Sequence, residues 1–315
     1  MCHPKVRPLT LGSNPTQTGS IGASPGFIRG REGRLGVLSL AAPELGISGY
    51  AYIIQALQQF EKDRDVYAVL LADIGCAAAP VGDLRSRQAA SWRIDRYPKP
   101  VIALVDGGAA GPALGLALHG THCVASEMAA FCVSQVATGD PPSAGLSLRL
   151  PRLPGNLGLF LALSGRSIGR AAAFRAGLVT HCIDAKYYPQ IRERLAQADP
   201  VDDILDGLHQ DPGDSPLDPH LPTIEACFAA PSPEDIVARL HTVAGPEAAW
   251  AQALAHEISG FSAAALDATY RMLTGDPPQD LRCALALEYR VAMARRGVPA
   301  AVLDLPPEPH APSIS

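Results

Sequence analysis

The chain has 315 residues, 47% of them hydrophobic, so it is long enough to bury a full core and is expected to be globular. Its formal net charge of -5 provides no basic surface, which argues against nucleic acid as a main partner. Its seven cysteines include no C-x-x-C pair, and such an odd, scattered set is typical of reduced cytoplasmic thiols rather than of a disulfide framework.

The first segment of the chain, residues 1–27, is rich in glycine and proline and contains no continuous apolar run. It is therefore predicted to be a flexible leader without a secretory signal. The longest apolar stretch, residues 101–118, is interrupted by Asp106 and Pro112. Because a bilayer span needs about 20 apolar residues in succession, no membrane insertion is expected.

Residues 28–198 are predicted to form an α/β core. Apolar runs predict strands, and apolar residues at helical spacing predict helices. The predicted strands include 34–40, 66–71 and 101–105, and the predicted helices include 52–62, 92–97 and one that begins near Pro112. This alternation predicts parallel strands joined by right-handed crossovers, with helices covering the sheet. Ligands bind at the carboxyl ends of such strands, here residues 72–83 and 106–112.

Beyond residue 120 the predicted strands become shorter, and beyond residue 198 the composition changes. Short strands are predicted at 122–125 and 130–133, and a helix at 157–163. Aspartates and prolines then alternate in residues 199–222, which are predicted to be an exposed acidic connector with little core of its own. Residues 223–305 are predicted to be a helical region in which Ser232 caps one helix, and residues 306–315 a loose tail.

Three segments of the chain resemble the crotonase superfamily and, within it, the 3-hydroxyisobutyryl-CoA hydrolase group. They are residues 97–120, 131–153 and 283–290. In that group they correspond to a YPKP block that ends in HG, an F-x-MPE block that ends in LPRL, and a C-x-x-x-EYR helix. The similarity extends from about residue 28 to about residue 304. It implies an α/β fold of the crotonase (ClpP/crotonase-like) type, a spiral of ββα units with a C-terminal helical region.

The resemblance also implies an oxyanion hole, in which two backbone N–H groups hold the carbonyl oxygen of a CoA thioester. The first donor maps to Gly82, which retains its N–H. The second donor maps to Pro112, which follows Gly111 and has no N–H to give. The alternative interpretation is that Pro112 only opens a helix, where a missing N–H is harmless.

The acid and base positions of the group are replaced as well. The glutamate of the MPE motif falls on Gln135, and the aspartate of the PD motif falls on Ser143. An amide cannot act as a general base, and a serine hydroxyl needs a base of its own. The two glutamates of the hydratases correspond to Gly115 and Gln135, so that route is also closed. Asp140 is the candidate replacement carboxylate, although an aspartate before two prolines is also typical of a solvated turn.

Two other patterns resemble functional motifs. Residues 165–169 match G-x-S-x-G, but they follow a predicted helix rather than a strand, so the match is interpreted as a coincidence. His119, His122 and Cys123 are metal-ligand types, but no second ligand pair follows them, which argues against a zinc site.

These observations predict a protein that binds an acyl-CoA or similar pantetheine thioester and is impaired or inactive by the family mechanism. The alternative is a divergent acyl-CoA thioester hydrolase, or a hydratase- or isomerase-like enzyme, that uses Asp140 with the Gly82 donor. No cofactor is expected besides the CoA thioester as ligand or substrate. A cytoplasmic location is expected, and a homo-oligomer or a partner protein is left open.

Overall fold

The computed structural model describes residues 28–40, 47–74, 84–299 and Leu305. The predicted leader, the predicted tail after residue 305, and Gly82 lie outside these residues. The chain divides into two compact units. The first comprises residues 1–129, 179–211 and 304–315, and the second comprises residues 130–178 and 212–303. This grouping differs from the predicted segments 28–198 and 223–305, since residues 130–178 belong with the C-terminal helices.

The described residues form a mixed α/β structure. The strands are β1 Ile28–Glu32, β2 Leu35–Ser39, β3 Ala68–Ala72, β4 Val101–Val105, β5 Gly108–Ala110, β6 His122–Ala125, β7 Ala130–Cys132, β8 Ser167–Gly169 and β9 His181–Cys182. The helices are α1 Ile47–Lys62, α2 Leu84–Asp95, α3 Gly111–Leu118, α4 Leu146–Arg149, α5 Leu157–Ser164, α6 Arg170–Arg175, α7 Tyr188–Ala196, α8 Val201–Leu208, α9 Leu221–Phe228, α10 Pro233–Thr242, α11 Ala248–Ser259, α12 Ala263–Thr274 and α13 Leu281–Arg295.

A six-stranded sheet forms the centre of the first unit, in the order β1-β2-β3-β4-β6-β9. All neighbours pair in parallel except β1, which is antiparallel to β2. β2, β3 and β4 are fully buried, as expected of parallel strands covered on both faces. The predicted strand-helix alternation is thereby confirmed, whereas the antiparallel strand β1 was not predicted.

The helices α7 and α8 pack on this sheet. Tyr188 at the start of α7 donates a hydrogen bond to the carbonyl of Val105, 3.0 Å away, and burial raises the pKa of its phenol. Val201, Ile204 and Leu205 of α8 are buried in the same hydrophobic cluster. The prediction that residues 199–222 lack a core is therefore wrong for this helix. The apolar spacing of i, i+3 and i+4 is that of one helix face.

Two histidine–aspartate pairs add polar contacts between α8 and the sheet. Nε2 of His122 lies 2.9 Å from Oδ1 of Asp202, and Nε2 of His181 lies 3.0 Å from Oδ1 of Asp206. The two aspartates are four residues apart and therefore share a face of α8. The imidazole rings are 5.8 Å apart between centroids, since β6 and β9 are neighbouring strands.

The second unit combines one short antiparallel strand pair with helices. Phe131 of β7 stands opposite Ile168 of β8. The predicted cap at Ser232 is confirmed, since its side chain accepts a hydrogen bond from the Asp235 N–H. Asp280 caps α13 in the same way, through the Cys283 N–H. The predicted helix at 157–163 corresponds to α5, and the predicted helical region 223–305 contains α10, α11, α12 and α13.

Candidate active site

The candidate site segment of the second unit contains Gln135, Asp140 and Ser143. Gln135 lies in a 3₁₀ turn, Ser134–Thr138. Its backbone carbonyl accepts two hydrogen bonds, from the Asp140 N–H at 3.0 Å and from the Thr138 hydroxyl at 2.8 Å. These contacts close the turn, so the backbone beneath Gln135 is fixed.

The side chain of Gln135 is buried without partners. The residue is 6% exposed, and neither Oε1 nor Nε2 has a hydrogen-bond partner among the described residues. An unpaired buried polar group costs about 1–3 kcal/mol, and an amide offers two donor hydrogens and an acceptor. Gln135 therefore carries hydrogen-bonding capacity that no described residue uses.

Ser143 precedes two residues in the left-handed region. Ser143 itself is buried, and Ala144 and Gly145 have φ angles of 64° and 80°. Glycine adopts this region freely, whereas an alanine there costs roughly 1–2 kcal/mol. The chain therefore turns sharply directly after Ser143. Ala144 adopts an unfavourable backbone conformation that the residues around it must stabilise.

A glutamate of α13 holds this turn. Glu288 is 1% exposed, and its two carboxylate oxygens accept hydrogen bonds from the N–H groups of Gly145 at 3.0 Å and Ser147 at 2.9 Å. Loss of this acceptor would leave two buried donors unpaired, at a cost of about 1–3 kcal/mol each. The sequence placed Glu288 only within a matching C-x-x-x-EYR segment and gave no signal for this contact.

The same helix also contacts the segment at Gly139, just before Asp140. Arg295 donates hydrogen bonds to the carbonyl of Gly139, 2.6 Å away, and to the carbonyl of Ala264. Arg296 follows α13, and its guanidinium lies 3.9 Å from the carboxylate of Asp140. Asp140 is therefore an ion-pair partner that remains about one-third exposed, rather than an isolated turn aspartate.

The candidate oxyanion residues Gly111 and Pro112 lie in the first turn of α3, in the first unit. Gly111 has a φ angle of 54°, and both residues are buried. The helix loses no internal hydrogen bond to the proline, because first-turn N–H groups have no intrahelical acceptor. Those same N–H groups are the ones a helix offers to a ligand, so proline removes one of them. The two-donor oxyanion hole remains a prediction, since Gly82 lies outside the described residues.

The structure gives the two other sequence patterns structural roles. Ser167 opens strand β8 after helix α5, which is the reverse of the strand–turn–helix context of a nucleophilic serine. His119 is buried at the end of α3, and a Cβ on Gly120 would meet the Val101 carbonyl at 2.7 Å, which explains a glycine at this turn. The described residues contain no group of three or more His, Cys, Asp or Glu side chains that could hold a metal ion.

Solved structures share this architecture. A carnitinyl-CoA dehydratase from Mycobacterium thermoresistibile is similar with a TM-score of 0.75 and 27% identity, over 86% of each chain. An enoyl-CoA hydratase from Rhodobacter sphaeroides 2.4.1 is similar with a TM-score of 0.73 and 25% identity, over 86% of this chain and 85% of that chain. The predicted crotonase fold is therefore confirmed.

Sequence comparison places the chain within a family. Residues 50–299 match the enoyl-CoA hydratase/isomerase family, and the chain belongs to that family. A mitochondrial 3-hydroxyisobutyryl-CoA hydrolase from Xenopus tropicalis is 30% identical over 82% of this chain and 71% of the relative. The corresponding protein of Rattus norvegicus is 28% identical over 87% of this chain and 81% of the relative.

Two predictions concern membrane insertion and the cellular location of the protein. No helix among the described residues is long and apolar enough to cross a membrane. The predicted cytoplasmic location is not confirmed, because the similar hydrolases are mitochondrial proteins.

Proposed function

We propose that the protein binds an acyl-CoA or related pantetheine thioester and turns it over very slowly or not at all by the family mechanism. The similar curated proteins and the similar structures carry CoA thioester reactions in their names, which supports thioester binding. The CoA thioester is the ligand, and no further cofactor is proposed.

The observation that carries the proposal is the buried, unpartnered amide of Gln135. The resemblance assigns a carboxylate to this position. An amide there remains neutral at physiological pH and cannot remove or deliver a proton as a carboxylate does. Neither of its polar atoms is paired with a described residue, so a ligand group that reaches them would find an unused donor and an unused acceptor. This combination favours binding over turnover.

The expected size of the impairment follows from the replaced groups. Loss of one oxyanion donor lowers a rate by about 10²–10³, and loss of a general base lowers it by roughly 10²–10⁴. Groups that act as a unit do not contribute independently, so the two factors need not multiply. Under this proposal, even the smaller loss alone makes the protein a much slower enzyme than an efficient hydrolase.

Calorimetric titration with CoA and a panel of short-chain acyl-CoAs tests the proposal, with thiol release followed on the same samples. The expected result is saturable binding of at least one thioester with little or no thiol release. Efficient turnover by the unmodified protein would contradict the proposal, and so would the absence of binding to every thioester.

Restoring the family groups provides the complementary test. The triple change Pro112→Gly, Gln135→Glu and Ser143→Asp is expected to raise thiol release by at least the factor of about 10² that a general base contributes. Glu257→Gln, which alters an exposed carboxylate of the same unit, is the matched control and should not raise it. No gain in the folded triple variant would argue that the catalytic pocket itself is lost.

The second candidate is a divergent enzyme that uses Asp140. Its carboxylate is partly exposed and lies within ion-pair distance of Arg296, so a charged carboxylate is present in the segment. If Asp140 is the base, any thiol release by the unmodified protein should disappear in Asp140→Ala and persist in Asp276→Ala, a change at an exposed aspartate of the same unit.

A further inference from the structure

Helix α13 contacts the candidate site segment on both sides of residues 140–144. Arg295 binds the Gly139 carbonyl before them, and Glu288 binds the Gly145 and Ser147 N–H groups after them. The contacts join residues that are more than 140 positions apart in the chain. A helix that binds both ends of a loop limits the positions available to every residue between them.

The Glu288 carboxylate accepts hydrogen bonds from two backbone N–H groups of one turn. Two backbone N–H groups on either side of Leu146 converge on one carboxylate, each with its own oxygen. The backbone before them turns through Ala144 and Gly145, both in the left-handed region. Successive N–H groups in such a turn form a concave anion-binding arrangement, and here the anion is the protein's own side chain.

The strained residue lies between Ser143 and this contact. Ala144 has a φ angle of 64° and is fully buried, so its conformation depends on what holds its neighbours. If the Gly145 N–H lost its acceptor, one of the contacts that hold Ala144 in the left-handed region would be removed. Ser143 would move with Ala144, because the two residues are adjacent.

We infer that Glu288 is a positioning residue for the ligand-binding segment, which holds Ser143 in place by binding the Gly145 and Ser147 N–H groups against the strain at Ala144. This inference rests on the proposed thioester binding only for its ligand readout. Glu288 is assigned no contact with the ligand.

Hydrogen exchange and calorimetry on the full chain test the inference together. In Glu288→Ala, exchange at the Gly145 and Ser147 amides should become about ten-fold faster or more, because both lose their acceptor. The affinity for the acyl-CoA that binds the unmodified protein should fall by about ten-fold or more. Glu257→Gln, which removes a surface carboxylate paired with Arg166, should change neither quantity.

A milder variant covers the case in which Glu288→Ala does not fold. Glu288→Gln keeps one acceptor oxygen and presents an NH₂ group to the other amide. One of the two amides should therefore stay protected while the other exchanges faster. Unchanged exchange at both amides in either folded variant would overturn the inference.

Relief of the strain supplies a rescue that a purely structural role would not show. Glycine adopts the left-handed region at no steric cost, so Ala144→Gly should restore part of the affinity lost in Glu288→Ala, while the Gly145 and Ser147 amides stay unprotected because their acceptor is still missing. No recovery in the double variant would overturn the inference. If no thioester binds the unmodified protein, the proposed function fails, and the exchange measurements still decide the role of Glu288.

Discussion

Two helices in different units of the molecule use carboxylates in opposite ways. In the first unit, α8 presents Asp206 to His181 while 76% of the aspartate side chain stays exposed. In the second unit, α13 buries Glu288 against the backbone N–H groups of Gly145 and Ser147. An interaction with a largely exposed carboxylate contributes about 0–1 kcal/mol, whereas a buried carboxylate that accepts two hydrogen bonds cannot be removed without leaving unpaired donors. Burial therefore decides what each carboxylate contributes to stability.

The largest effect is expected from the apolar face of α8. Ile204 is fully buried in the core of the first unit, so Ile204→Ala should lower the free energy of unfolding by roughly 2–5 kcal/mol. Urea unfolding measures the change. Asp203→Ala, on the exposed face of the same helix, is the control and should change it by less than about 0.5 kcal/mol. Equal effects of the two variants would show that α8 is not held by its apolar face.

Glu288→Ala is expected to have the next largest effect. Two buried N–H groups lose their acceptor, which should cost about 2–4 kcal/mol of unfolding free energy. Glu257→Ala removes a half-exposed carboxylate that forms two hydrogen bonds with Arg166 and should cost less than about 1 kcal/mol. A larger cost for Glu257→Ala than for Glu288→Ala would contradict the conclusion that burial decides what a carboxylate contributes to stability.

The same two helices show how far the sequence predicts the structure. In α8, the apolar spacing of Val201, Ile204 and Leu205 was present in the sequence, but the surrounding prolines and aspartates favoured a connector. A helix of eight residues has little intrinsic stability, so packing decides whether it forms. The longer strands and helices carry enough pattern to be predicted, which is why the parallel sheet was found.

The candidate site was predicted only in part. The resemblance placed Gln135, Asp140 and Ser143 in one segment, because they are close in sequence. It could not show that the amide of Gln135 lacks a partner or that Glu288 binds the Gly145 N–H, since the latter two residues are 143 positions apart. Burial and long-range hydrogen bonds arise from tertiary packing, and no local pattern encodes them.

The contact between α8 and His181 should make the stability of the protein depend on pH. Burial lowers the pKa of His181, the neighbouring His122 and His209 lower it further, and the hydrogen bond to Asp206 opposes the change. The unfolded chain therefore takes up a proton more readily than the folded protein. The stabilising contribution is present above a pH of about 6.5 and is lost as pH falls through the folded pKa.

Urea midpoints at pH 7.5 and 5.5 measure this dependence. The urea midpoint should be lower at pH 5.5 than at pH 7.5, because only the unfolded chain takes up the His181 proton readily. The loss of stability that His181 causes should be absent in His181→Gln. His241→Gln, at an exposed histidine of α10, should leave the loss unchanged. A protein that becomes more stable over the same acid range because of His181 would contradict the assigned direction.

The smallest effect is expected from Asp206→Asn. At pH 7.5 the asparagine keeps an acceptor oxygen near His181 while a largely exposed charge is removed, so unfolding free energy should change by less than about 1 kcal/mol. At lower pH the variant should lose more stability than the unmodified protein, because Asp206 is the group that raises the pKa of His181. Asp203→Asn, on the same helix, controls for the loss of one negative charge. A shallower pH dependence in Asp206→Asn would mean that this carboxylate does not favour the protonated imidazole. The contact between Asp206 and His181 would then contribute even less to stability than the range of about 0–1 kcal/mol given above.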